Sequence, residues 1–278
     1  METQIRYLRI AVAAMLLLAL ALVALYFLLP NLPRRNPRVE TQQPVDPRNC
    51  CIIVTEMTDA GRALPAPSAD KQVYFMPHFV SQRDIGDVYG NAKPIPYADI
   101  QEQLARALAS NGYHAVDAAN PANPPAQVLF FAWGTHNGID LALHGPDTGN
   151  AASNANFHTN LLSRAKTIGG QKFAGEYSQA LSGKNMKQFT ARDTITEAID
   201  HAVWNDCHYL LVYSLDAEAL SRREKKLLWT MRISTVPHGL SLAETLPVMI
   251  HTAAPFFVRE TPPKIVGKKE PKAQEAKK

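Results

Sequence analysis

The clearest period in the chain is two: Leu227, Trp229, Met231 and Ile233 alternate with Leu228, Thr230, Arg232 and Ser234. That pattern predicts a strand with one face buried and one face polar. Just before it, Tyr209-Leu-Leu-Val-Tyr213 predicts a second strand, and the polar stretch Asp216 to Lys226 between them reads as an exposed hairpin connection. Cys51-Ile-Ile-Val54, Gln72 to Met76, Tyr113 to Val116 and Val128 to Trp133 are further strand segments, the last the most apolar of all. Helical spacing appears elsewhere. Ile100, Leu104, Ala107 and Leu108 mark a helix that follows Pro94 and Pro96 and is closed by Asn111-Gly112. Phe157, Leu161, Leu162 and Ala165 mark a second, Gly169-Gly170 interrupts it, and a third spans about Gln171 to Leu181. A further helix is predicted where Thr194 stands three residues before Glu197, the spacing of a capping box, ahead of Ile195, Ala198, Ile199, Ala202 and Val203. Ser241 and Glu244 form a second such box, although Pro247 places the expected helix start nearer Thr245.

One segment fits neither period. From Ile10 to Leu29, twenty residues carry no charge, amide or hydroxyl except the phenol of Tyr26. A helix of that length matches a hydrocarbon core of roughly 30 Å, and Arg6, Arg9, Arg34, Arg35 and Arg38 flank it. A cleaved signal peptide has a shorter apolar region and small residues at its cut site, whereas this run ends in Tyr26-Phe-Leu-Leu-Pro30. A lipoprotein would need its cysteine directly after the run, and Cys50 and Cys51 lie about twenty residues further on. The run therefore reads as an uncleaved single-pass anchor in the cell membrane. The arginine balance of its two flanks is nearly even. A short leader before a large domain favours the start inside and the domain on the periplasmic or extracytoplasmic side.

The expected organisation is a basic leader over 1–9, the anchor over 10–29, a Pro- and Arg-rich linker over 30–49, one domain over 50–260 and a disordered Lys-rich tail over 261–278. The net charge of +4 is located by this division, because six lysines and two glutamates from Lys264 onward supply all of it. A near-neutral fold gives no support to a basic stripe for nucleic acid, and no nucleic-acid partner is expected. Three cysteines are too few for a disulfide framework; neighbouring Cys50 and Cys51 cannot easily bridge each other, and either could pair with Cys207 or stay reduced. The fold class is α/β (α+β): a mixed sheet of about five or six strands with packed helices and a late β-hairpin.

The helix end Leu108-Ala-Ser-Asn-Gly-Tyr113, the apolar strand from Val128 to Trp133 and the late Leu227-Leu-Trp229 together resemble the small α/β domains of envelope lipoproteins of unknown function in bacteria. That resemblance covers roughly residues 100–233 and implies an exported, membrane-tethered domain not known to catalyse a reaction. It carries over no functional residue.

Candidate chemistry is sparse. In the stretch from Trp133 to Asp147, His136, Asp140 and His144 fall four residues apart, a spacing that would gather three metal ligands on one helix face. Gly134, Gly138, Gly145 and Pro146 oppose a helix there, so a polar loop or edge strand is the competing reading. Asp206, Cys207 and His208 have the residue types of thiol catalysis, but adjacent side chains on a strand point to opposite faces. Trp133 and Trp229 read as core. No G-x-S-x-G elbow, H-E-x-x-H helix, phosphate loop or dinucleotide fingerprint is present, and no cofactor is expected. Two functions remain: an anchored envelope protein whose domain binds another protein or a cell-wall component without catalysis, and an anchored metal-dependent hydrolase using the loop from Thr135 to Asp147.

Overall fold

Seven strands form one mixed sheet in the order β3-β2-β4-β5-β6-β1-β7. The strands are β1 (Cys50–Met57), β2 (Val73–Gln82), β3 (Tyr113–Ala115), β4 (Gln127–His136), β5 (Cys207–Asp216), β6 (Leu227–Thr235) and β7 (Thr261–Gly267). This is a computed structural model, and it describes residues 50–67, 71–82, 84, 95–116, 123–139 and 151–267. The anchor at Ile10 to Leu29, the linker, Asp140, His144 and the lysines from Lys268 on lie outside the described residues. Among the described residues, no helix is long and apolar enough to cross a membrane.

The strand β2 pairs parallel with β3 and β4, and every other pairing is antiparallel. Helices cover both faces. On one side lie α2 (Tyr97–Ala109) and α7 (Leu242–Ala253), over a core that includes Phe75, Leu104, Phe131, Trp133, Trp229, Met231 and Met249. On the other lie α3 (Ala151–Ser182), α4 (Met186–Thr190) and α5 (Thr194–Trp204), over Ile52, Val54, Leu161, Tyr177, Ile199 and Cys207. Two short helices, α1 (Asp59–Arg62) and α6 (Ala217–Ser221), follow β1 and β5.

The expected periods hold with five corrections. First, β6 is buried on both faces from Leu228 to Thr235, because helices pack on its polar side as well. Arg232 is tolerated there because its Nη1 donates to Glu56 Oε2 at 2.6 Å. Second, the sheet has a seventh strand where a disordered tail was expected: β7, beginning at Thr261. Its two prolines weigh against a strand in sequence, yet an edge strand leaves one side unpaired, and β1 takes the other through Cys50↔Gly267, Cys51↔Val266 and Ile52↔Ile265. Third, α5 is capped by Asp193 rather than by Thr194: the Asp193 carboxylate accepts from Thr196 N at 2.7 Å. Fourth, α7 starts at Leu242 and carries Pro247 inside it. Glu244 accepts from Ser241 N at 2.8 Å, a reciprocal cap that fixes the helix start ahead of Pro247. Fifth, the connection from Asp216 to Lys226 is not a bare loop. Asp216 caps α6 through Ala219 N at 3.0 Å and receives Lys226 Nζ at 3.1 Å.

The Gly169-Gly170 interruption is a kink within α3, where Gly170 takes φ +89°. Cys51 and Cys207 are buried in the two separate cores, on opposite sides of the sheet, so a bridge between them would have to pass through it.

Candidate functional site

At one end of the sheet β1 terminates and β3, β4 and β6 begin, and their ends enclose a cleft of about 380 Å³. That volume suits a small ligand. The turn that builds one wall depends on a glycine. Thr58 caps α1 through Gly61 N at 3.1 Å and donates its hydroxyl to Leu227 O at 2.8 Å, pulling α1 flat onto β6. A Cβ on Gly61 would lie 2.1 Å from Leu228 O, so no side chain fits at that approach.

The floor is polar and buried. Gln127, Tyr113 and Trp229 are each 3% exposed or less. Gln127 Oε1 accepts from Ser214 Oγ at 2.7 Å and from Trp229 Nε1 at 3.2 Å, and its amide donates to the Tyr113 phenol. Burial pushes that phenol up to about 12, with the Gln127 bond pulling the other way. Asn111 forms a side wall; its Nδ2 donates to Ala107 O at 3.0 Å and Ala254 O at 2.7 Å, joining the end of α2 to the end of α7.

Two arginines stand at the rim in different states. Arg62 is held by Glu260 through Nε at 2.9 Å and Nη2 at 2.5 Å, and by Asp59 at 2.9 Å. Arg259 makes no ion pair among the described residues. Between Phe257 and Arg259, Val258 adopts φ +60°. A β-branched residue in that region is strained by about 1–3 kcal/mol, and such strain collects at ligand-holding segments.

What the cleft lacks is as informative. Among its described lining residues only Arg62, Tyr113 and Arg259 titrate, and none is a histidine, cysteine, serine, threonine, lysine or carboxylate. A neutral phenol and two cations supply neither a nucleophile nor a general base near neutral pH.

A larger hollow of about 530 Å³ lies on the opposite face between β1, α3, α5 and β7. Several of its polar groups are already committed, while the buried Thr55 hydroxyl has no hydrogen-bond partner among the described residues. Glu56 binds Arg232 and the amides of Gln171 and Lys172, Asp193 caps α5, and Arg192 pairs with Glu176 at 2.8 Å.

His136, Asp140 and His144 fare differently from what their spacing offers. His136 closes β4, is 7% exposed, and its Nδ1 accepts from Arg164 Nη1. Arg164 is itself 1% exposed and also donates to the carbonyls of Asn137, Ala202, Val203 and Asn205. Burial first, and the adjacent guanidinium second, pull the imidazole down to about 4. A guanidinium in direct contact also repels a cation. Asp140 and His144 lie outside the described residues, and among the described residues no cluster of three His, Cys, Asp or Glu could hold a metal. The Asp206, Cys207, His208 run splits as strand geometry requires. Cys207 is wholly buried against α3 and α5, with its thiol pushed up to about 12, while His208 Nδ1 meets Thr245 Oγ1 of α7 at 2.6 Å and Asp206 accepts from Gly138 N at 2.6 Å.

The lowered imidazole has a consequence for stability. His136 takes up a proton near 6.5 in the unfolded chain and only near 4 in the fold, so acid favours unfolding across that interval. The stability it contributes is complete above about pH 6.5. The expected loss between there and pH 4 is about 3 kcal/mol by the conversion of 1.36 kcal/mol per unit, and burial lowers His208 in the same direction. Urea unfolding at stepped pH reads this directly. A His136→Gln variant as acid-sensitive as the parent would show that the slope has another source.

No protein-family model matches the chain, and no curated protein matches it. Among solved structures, the crystal structure of a PDZ domain protein from Parabacteroides distasonis matches 78% of this chain and 37% of its own length, at 9% identity and a TM-score of 0.34. This chain thus spans little more than a third of that protein, and a likeness so slight decides nothing about the site.

Proposed function

We propose that this is a single-pass membrane protein, held by Ile10 to Leu29 with its domain on the extracytoplasmic side, which binds a cell-wall component or another protein in the cleft without transforming it. One observation carries the reading: the cleft has a buried polar floor ordered around Gln127, and among its described lining residues there is no nucleophile or general base. The anchor rests on the length and flanks of the apolar run. Hydrolysis at the Thr135 to Asp147 loop is the weaker alternative, since the nearest described candidate, His136, is committed to Arg164.

The test uses the intact chain in lipid nanodiscs, titrated with soluble cell-wall fragments while the Trp229 indole resonance is followed. A saturable shift, abolished by Gln127→Leu, with the fragments recovered unchanged, is the expected result. Recovery of cleaved fragments would establish an enzyme instead. An indole that never moves would remove the cleft as the site.

A further inference from the structure

The hydrogen bonds of the cleft have a direction. Gln127 Oε1 is filled by two donors, Ser214 Oγ and Trp229 Nε1, which fixes its amide nitrogen toward Tyr113. The Tyr113 oxygen is therefore an acceptor for Gln127, and its own hydrogen is left to point elsewhere. Among the described residues no protein acceptor takes that hydrogen. Tyr113 lines the cleft, so a donor is offered there. Asn111 is set in the opposite sense. Both its carbonyl partners take Nδ2, and among the described residues no donor is bonded to Oδ1. The cleft thus carries one spare hydroxyl donor, one spare amide acceptor and, at the rim, the unpaired cation of Arg259.

A cation and a hydroxyl donor together match a carboxylate, and an amide oxygen beside them matches an N–H. We infer that the cleft takes the free carboxyl end of a peptide or acylated amino acid: the carboxylate between Arg259 and the Tyr113 hydroxyl, the ligand's last amide N–H on Asn111 Oδ1. Arg62 does not compete for this role, because Glu260 and Asp59 already balance its charge. The cleft's volume admits about two residues of peptide, and the apolar wall of Leu64, Pro65 and Phe257 is suited to their side chains. The inference rests on the cleft being the binding site, and it adds the chemical class of the ligand.

Two probes separate these claims: N-acetyl-alanyl-alanine with a free carboxylate, and the same compound as its C-terminal amide. Each is titrated into the intact protein in nanodiscs, with affinity and the Trp229 indole shift read together. The acid is expected to bind and move the indole, and the amide to bind at least tenfold more weakly. Arg259→Gln, an exposed change that leaves the core untouched, is expected to cost the acid about tenfold and the amide nothing. Tyr113→Phe keeps the ring and is expected to cost the acid a similar factor. Equal affinity for both probes, with the indole still moving, would overturn the carboxylate and leave the cleft as a site. Binding of neither probe would overturn the inference and weaken the functional reading beneath it.

Discussion

Replacing Arg164 with methionine is expected to destabilise the domain by about 3–5 kcal/mol, because several buried acceptors lose a charged donor at once. Methionine preserves much of the stem's packing but none of its donors. Five acceptors lose their partner: the carbonyls of Asn137, Ala202, Val203 and Asn205, and the imidazole of His136. Three of those carbonyls belong to the end of α5 and its exit, where helix carbonyls are already short of donors and carry the negative end of the dipole. Relief from burying a cation offsets part of the loss. It does not offset all of it, because each buried acceptor left empty costs about 1–3 kcal/mol. Lysine should rescue little, since one ammonium cannot reach all five. Chemical denaturation decides the matter, and a loss under about 1 kcal/mol for Arg164→Met would show that the cluster is structurally idle.

The second large effect is expected at Glu56. Its carboxylate has two duties: Oε2 neutralises Arg232, whose side chain is 5% exposed, and Oε1 accepts from Gln171 N at 2.8 Å and Lys172 N at 3.2 Å. Those amides open the second half of α3, immediately after the left-handed Gly170, whose added Cβ would sit 2.9 Å from Oε1. Glu56→Ala leaves a guanidinium in the sheet interior without its counter-charge and uncaps the helix at its kink. A cost of about 3 kcal/mol is expected, at the low end for buried pairs because the carboxylate is 30% exposed. Combining Glu56→Gln with Arg232→Met should cost clearly less than those two single changes added together, because both charges leave at once. If the double variant loses the full sum of the single losses, measured by urea unfolding, the pair is not coupled.

The sheet was legible where one residue's neighbours along the chain decide its place. Ile100, Leu104, Ala107 and Leu108 are buried as their spacing implies, and Trp133 and Trp229 are core. The readings failed where the deciding contact comes from elsewhere. Nothing near Thr230 or Ser234 announces that α3 will pack on β6, and nothing in Thr261-Pro-Pro263 announces that β1 will offer an edge. The cleft was illegible for the same reason. Asn111 with Tyr113, Gln127, Trp229 and Arg259 come from four separate segments, and the sheet order brings them to one end. One local signal was available: Arg164 interrupts the apolar face of Phe157, Leu161, Ala165 and Ile168, and a charge inside such a stripe demands a buried partner.

The strand β1 joins the two ends of the domain. The chain enters it at Cys50, opposite Gly267, and leaves it at Met57, a wall of the cleft, so entry and cleft lie about 25 Å apart at a rise of about 3.3 Å per residue. A pull between a ligand held in the cleft and whatever holds the N-terminal side would therefore run along the axis of β1. Antiparallel ladders to β6 and β7 flank that axis on both sides. Their hydrogen bonds would be loaded together in shear rather than peeled open one at a time, which makes β1 the tie-bar of the domain under tension.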